Sequence, residues 1–165
     1  LILVNVATRY LGVPIYWVDE ASVYTVVWLT FVGASIMTRL RLDFSVTLIS
    51  DWCGEKVRRR MRLFSSLAVL FFGVALVAMC FLWMDPVGIA RMGFDARAYA
   101  AESFNFLYTE RTQTLEWPVW FIQLTIPLFA LGMSLHALAN ICEDLDLAAP
   151  RAFPEFQLAS ADNVN

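Results

Sequence analysis

The chain has 165 residues, 59% of them hydrophobic and 16% charged, with a mean hydropathy of +0.61 and a formal net charge of −3. Soluble domains carry about 25% charged residues, and stretches 21–38, 63–84 and 117–142 contain no Asp, Glu, Lys or Arg. A soluble core of this size can bury one such helix but not three. At about 1.5 Å of rise per residue, against a hydrocarbon core of about 30 Å, the second and third stretches cross a bilayer outright, and the first needs only its flanks. The composition predicts an all-α integral membrane protein with four transmembrane helices, the first truncated at its start. The membrane domain covers 1–146, with spans at about 1–10, 20–39, 63–84 and 117–142.

Residues 1–10 are too short for a signal peptide and too apolar for a tail. They read as the end of a helix, with roughly ten or more apolar residues expected upstream to complete a span. A link follows in which Gly12 and Pro14 break the helix, while Tyr16 and Trp17 suit the headgroup layer. Asp19 and Glu20 stand where the second span begins. Two readings stay open for them, favourable charges at a helix N-terminus and contact with a partner. Thr30, Ala34 and Thr38 then recur every four residues beside Gly33. Small residues at that spacing admit a second helix closely, from this chain or from another.

Beyond the second span the pattern changes. Phe44, Leu48 and Trp52 fall on one helical face among polar residues, which predicts an amphipathic interfacial helix over about 43–56 with these three as its anchor. The basic cluster Lys56, Arg58, Arg59, Arg60 and Arg62 follows. Directly before a span such a cluster sets topology and touches anionic lipid, and nucleic-acid binding is the weaker reading. The third span ends at Asp85-Pro86. Segment 85–116 is an outward loop in which 96–107 has the spacing of a short helix. Trp117-Pro118 opens the last span, and Pro127 is expected to bend it. The tail 147–165 is expected to be cytoplasmic and disordered. Seven basic residues lie between spans two and three, against three between spans three and four. Positive charges stay inside, so the interfacial helix and basic cluster are cytoplasmic.

The residues supply little chemistry. His136 is the only histidine, too few for a zinc site or a doubly ligated haem. Cys53, Cys80 and Cys142 are far apart in sequence, and the latter two read as small apolar fillers. The spans carry no carboxylate in their middles, where ion-coupled carriers keep theirs, and no phosphate loop or nucleophile elbow is visible. The chain is therefore expected to be no enzyme, with no catalytic, cofactor-binding or metal-binding residues, and to act as a scaffold or accessory subunit.

Three passages carry a family resemblance. The first is Asn5 with Arg9-Tyr10, followed by Pro14 and Trp17. The second is Asp19-Glu20 through Trp28, Leu29, Thr30 and Phe31 to Gly33-Ala34. The third is Trp117-Pro118 through Trp120 to Pro127. In order and placement they resemble the DctQ-like small membrane subunit of tripartite ATP-independent periplasmic (TRAP) transporters. Asp43 stands where that family commonly has His, its frequent Leu-Pro is absent near Cys53-Gly54, and loop 85–116 is longer than in compact members. The resemblance implies a multi-pass protein of the bacterial inner (plasma) membrane. It further implies two partners besides the lipid bilayer: a large multi-span permease subunit and a periplasmic solute-binding protein. Uptake of a solute, typically a carboxylate, would be driven by an ion gradient as symport. This subunit would brace the large one. Asn5, Arg9, Tyr10, Glu20, Trp28, Gly33, Ala34, Trp117, Pro118 and Pro127 are then candidates for subunit contact and helix packing. The alternative is a self-sufficient small homo-oligomeric transporter or a membrane enzyme, and it requires an ionisable residue or cofactor site outside the visible spans.

Overall fold

In a computed structural model, residues 1–41 and 54–149 are described. The described residues form seven helices and no strand, apart from one isolated antiparallel bridge between Arg111 and Pro118. The helices are α1 (Ile2–Tyr10), α2 (Tyr16–Leu40), α3 (Glu55–Met84), α4 (Pro86–Arg91), α5 (Ala96–Ser103), α6 (Val119–Gln123) and α7 (Thr125–Asp144). Three stretches are long and apolar enough to cross a membrane: Tyr16–Leu40, Glu55–Arg91 and Val119–Asp144. α1, at about 13 Å, is too short to cross alone. The predicted interfacial helix with Phe44, Leu48 and Trp52 lies outside the described residues, as does tail segment 150–165.

Helix boundaries follow local chemistry. α2 begins directly after Pro14-Ile15, earlier than the expected residue 20, because Pro14 restricts only the residue before it and nothing after it breaks a helix. α3 begins at Glu55 rather than at residue 63. The Gly54 carbonyl accepts from the amides of Val57 and Arg58, and the run of Glu, Lys, Arg and Met favours helix. Lys56, Arg58, Arg59, Arg60 and Arg62 are thus the first two turns of a spanning helix instead of a link. Glu55, in the first turn where a negative charge is favourable, pairs with Arg58 and with Arg62. Asp85 ends α3 in the left-handed region (φ 41°) and caps α4, its carboxylate accepting from the Gly88 amide at 2.9 Å with Pro86 at the first helical position. The last span is interrupted at Leu124. Pro127 has no amide hydrogen to give the Gln123 carbonyl, and its ring crowds that oxygen, so α6 stops there and α7 restarts.

The chain divides into two compact units. One comprises Leu1–Gly33 and Leu76–Phe129, and the other Ala34–Ala75 and Ala130–Asn165. In the first, the loop after α3 is tied to the end of that helix. The Asn105 side-chain amide donates to the Trp83 carbonyl at 2.8 Å, and the Tyr108 hydroxyl to the Met84 carbonyl at 2.7 Å. These are among the carbonyls a helix C-terminus leaves without intrahelical partners. Burial, together with Tyr99 and Asp85 nearby, holds the Tyr108 phenol above its usual range, so it remains a donor at neutral pH. Tyr99 in turn donates to Asp85 at 3.1 Å.

In the second unit the buried positions of α7 are Ala130, Met133, Ala137, Asn140 and Ile141, which share one helix face, while Leu131, Leu135 and Leu138 are exposed. Two alanines and an asparagine among the buried positions, with leucines outside, is an arrangement expected in lipid, where apolar surface gains little from burial and close backbone approach decides packing. A methyl group at Gly132 would lie 2.6 Å from the Ser35 hydroxyl oxygen, so α2 and α7 meet there through a glycine and a serine.

Candidate functional site

In the first unit the polar groups of the family motif converge. Asn5 and Arg9 are four residues apart on α1 and therefore share a face. The Arg9 guanidinium donates to the Asn5 side-chain oxygen at 3.1 Å and pairs with the Asp19 carboxylate at 2.5 Å, and the Asn5 amide also donates to Asp19. Both ion partners are half-exposed, so in water the pair adds little stability, and its role is to set the entry of α1 onto α2.

Glu20, one residue on, serves a different segment. Its carboxylate accepts from the backbone amides of Gln113, Thr114 and Leu115 at 2.8–2.9 Å, from the Thr114 hydroxyl at 2.5 Å and from the Tyr24 hydroxyl at 3.0 Å. Segment 110–119 is a small hairpin closed by the Thr112 amide on the Trp117 carbonyl and the Val119 amide on the Glu110 carbonyl. Glu20 thus clasps the hairpin tip. Both carboxylates that left capping and partner contact open are engaged by other segments of this chain, and Asp19 also occupies the first turn of α2.

Below the clasp lies an apolar groove of about 630 Å³ lined by Trp17, Tyr24, Trp28, Leu115, Trp117 and Phe121 among others. Phe121 is its hub, with ring centroids 6.2 Å from Trp28, 5.8 Å from Trp117 and 6.2 Å from Trp120. Pro118 caps α6 in an extended conformation that carries the hairpin into the helix. Glu20, Trp28, Trp117 and Pro118 are therefore one neighbourhood. Tyr10 is exposed, Pro127 serves the α6–α7 break, and a methyl group at Gly33 would meet nothing within 4 Å. On α2 Val18, Ser35 and Thr38 are buried, whereas Thr30 and Ala34 are exposed. The small-residue pattern thus splits: Thr38 is buried, Thr30 and Ala34 are exposed, and Gly33 is half-buried.

The second unit holds an arginine–carboxylate seam. Arg39 donates to the Asn140 side-chain oxygen at 2.6 Å and to Glu143 at 2.5 Å. Arg41 pairs with Asp144 at 2.9 Å and donates to the Asn140 carbonyl, while Arg59 reaches Asp146 at 2.6 Å and the Asp144 carbonyl. Asn140, 3% exposed, completes the seam by donating to the Thr38 carbonyl at 2.8 Å. His136 is half-buried one turn before Asn140. Sequence reasoning counted Arg39, Arg41 and Arg59 as topology charges and gave the acidic stretch after the last span no part. The available signal was the opposite sign of the charges ending the second and last spans. Among the described residues no cluster of three or more metal-ligating side chains occurs.

The family model for "Tripartite ATP-independent periplasmic transporters, DctQ component" matches residues 1–147. The chain belongs to the DctQ family. It is thus the small component of a TRAP transporter, a membrane protein of a tripartite transport system, in a family of transporter components. Comparisons with curated proteins and with solved structures return no match. For a DctQ chain the two polar networks have a plain meaning. The described charges of the α1–α2 turn and of the arginine seam are answered from within the chain, and the long helices present apolar or small-residue surfaces.

Proposed function

We propose that this chain is a non-catalytic brace for the large, multi-span permease subunit of its transporter. The system is a secondary one, in which an ion gradient drives uptake of a solute, a carboxylate by family resemblance, handed over by a periplasmic binding protein. The chain sits in the bacterial inner membrane as a multi-pass protein, with the basic start of α3 on the cytoplasmic side. The observation that carries this reading is the small-residue stretch of α2 in which Thr30 and Ala34 are exposed and a methyl group at the half-buried Gly33 would meet no described residue within 4 Å. A static subunit needs a close-fitting surface for another helix, and small residues supply one in lipid. The largely buried Arg39–Glu143 ion pair supports the same role, since it ties the end of α2 to the end of α7.

The test is co-purification in mild detergent from native membranes. The wild-type chain is expected to bring down a large membrane subunit, and Gly33→Leu to lose most of it while the isolated chain stays folded. Solute transport in liposomes by this chain alone would overturn the proposal.

A further inference from the structure

We propose that Phe104 and Phe106 form an interfacial wedge, seated at the acyl-chain boundary of the leaflet that receives the Met84 end of α3. This inference requires that α3 spans the bilayer and does not depend on the bracing role. Residues 63–84 carry no charge, and as helix they measure about 33 Å against a hydrocarbon core of about 30 Å. When Leu63 lies at one boundary, the last turn of α3, with Trp83 in it, lies at the other, where Trp is favoured.

The depth of the following loop is then set by two hydrogen bonds. Asn105 holds the Trp83 carbonyl and Tyr108 the Met84 carbonyl. Between and beside these two residues, Phe104 is 80% exposed and Phe106 is 52% exposed, while Leu107 is buried. At this end of α3 Phe81, Leu82 at 78% exposure, and Trp83 are exposed as well. Phe104 also closes α5 in the left-handed conformation (φ 56°), its amide donating to the Ala100 carbonyl. Helices usually place Gly or Asn there. A large exposed aromatic at that position, held at the depth of a span's end, matches a lipid surface in chemistry: an apolar ring against acyl chains beside polar groups at headgroup level.

Two measurements test the wedge. A nitroxide is attached at F104C or F106C in a variant whose own cysteines are replaced by alanine, reconstituted in phosphatidylethanolamine–phosphatidylglycerol vesicles. Collisions with oxygen are expected to exceed those with a water-soluble nickel chelate several-fold, as at L82C, with the opposite ratio at E102C. A nickel ratio like that of E102C overturns the proposal, and would point to a soluble docking partner instead. Shielding from both reagents also overturns it, by showing protein contact. Because the cysteine-free variant can fail to fold, the second measurement uses the otherwise unaltered chain in its own membrane, with photoreactive benzoylphenylalanine at position 104. A phospholipid adduct is expected, and an adduct to polypeptide alone overturns the wedge.

Discussion

At Gly132 a methyl group would lie 2.6 Å from the Ser35 hydroxyl oxygen and 3.6 Å from its Cβ, whereas at Gly33 it would meet nothing within 4 Å. The two glycines carry different duties, although each stands in an apolar helix with small neighbours. Gly132→Ala is expected to destabilise the chain by about 1–3 kcal/mol, the usual cost of overpacking. Adding Ser35→Ala should recover most of that, because only the hydroxyl is in the way. Gly33→Ala should be neutral or stabilising by up to about 1 kcal/mol through helix propensity. Unfolding in mixed detergent micelles, measured on the two single variants and the double variant, checks the order. The spacing of small residues is visible in the sequence, but which of them is covered depends on the rotation of each helix. Thr38 and Ala34 are one turn apart, and only Thr38 is buried.

At the scale of elements, the hairpin 110–119 has a single bridge and owes its position to a carboxylate from α2. The hydrogen bonds to that carboxylate are charge-assisted. Glu20→Ala removes five of the hairpin's and Tyr24's contacts at once. Amide exchange at Gln113, Thr114 and Leu115 is expected to speed up about tenfold or more, with α7 unchanged, by mass spectrometry of the detergent-solubilised chain. The predicted last span, at about 117–142, appears as α6 and α7, broken one turn before Pro127. The proline is legible, and so is its consequence, because a missing amide and a ring clash act locally. The short helix α4 is less so. Its signal is the Asp85-Pro86 pair, a capping residue followed by a first-turn proline. α5 ends at Ser103 rather than reaching residue 107, since Phe104 turns left-handed and Asn105 is drawn to α3.

For the whole molecule, membrane class, family and the number of long apolar stretches are all matters of composition and pattern. Topology belongs to this scale as well. The basic start of α3 on the cytoplasmic side predicts that E102C reacts with an impermeant thiol reagent added to intact cells. K56C should react only after the membrane is opened. The reverse pattern would invert the proposed orientation. The sequence by itself determined that three stretches are long and apolar enough to cross lipid, because that capacity depends on a stretch's own length and hydropathy. It also determined the family, since a match over residues 1–147 is a one-dimensional property. Only the tertiary structure decided that Asp19 answers Arg9, that Glu20 holds a loop more than ninety residues away, and that Arg39 and Arg41 are matched by Glu143 and Asp144. Each of those pairings is a distance between different segments, most of them remote in sequence, and helix rotation and loop path, which set such distances, leave no periodic trace in the chain.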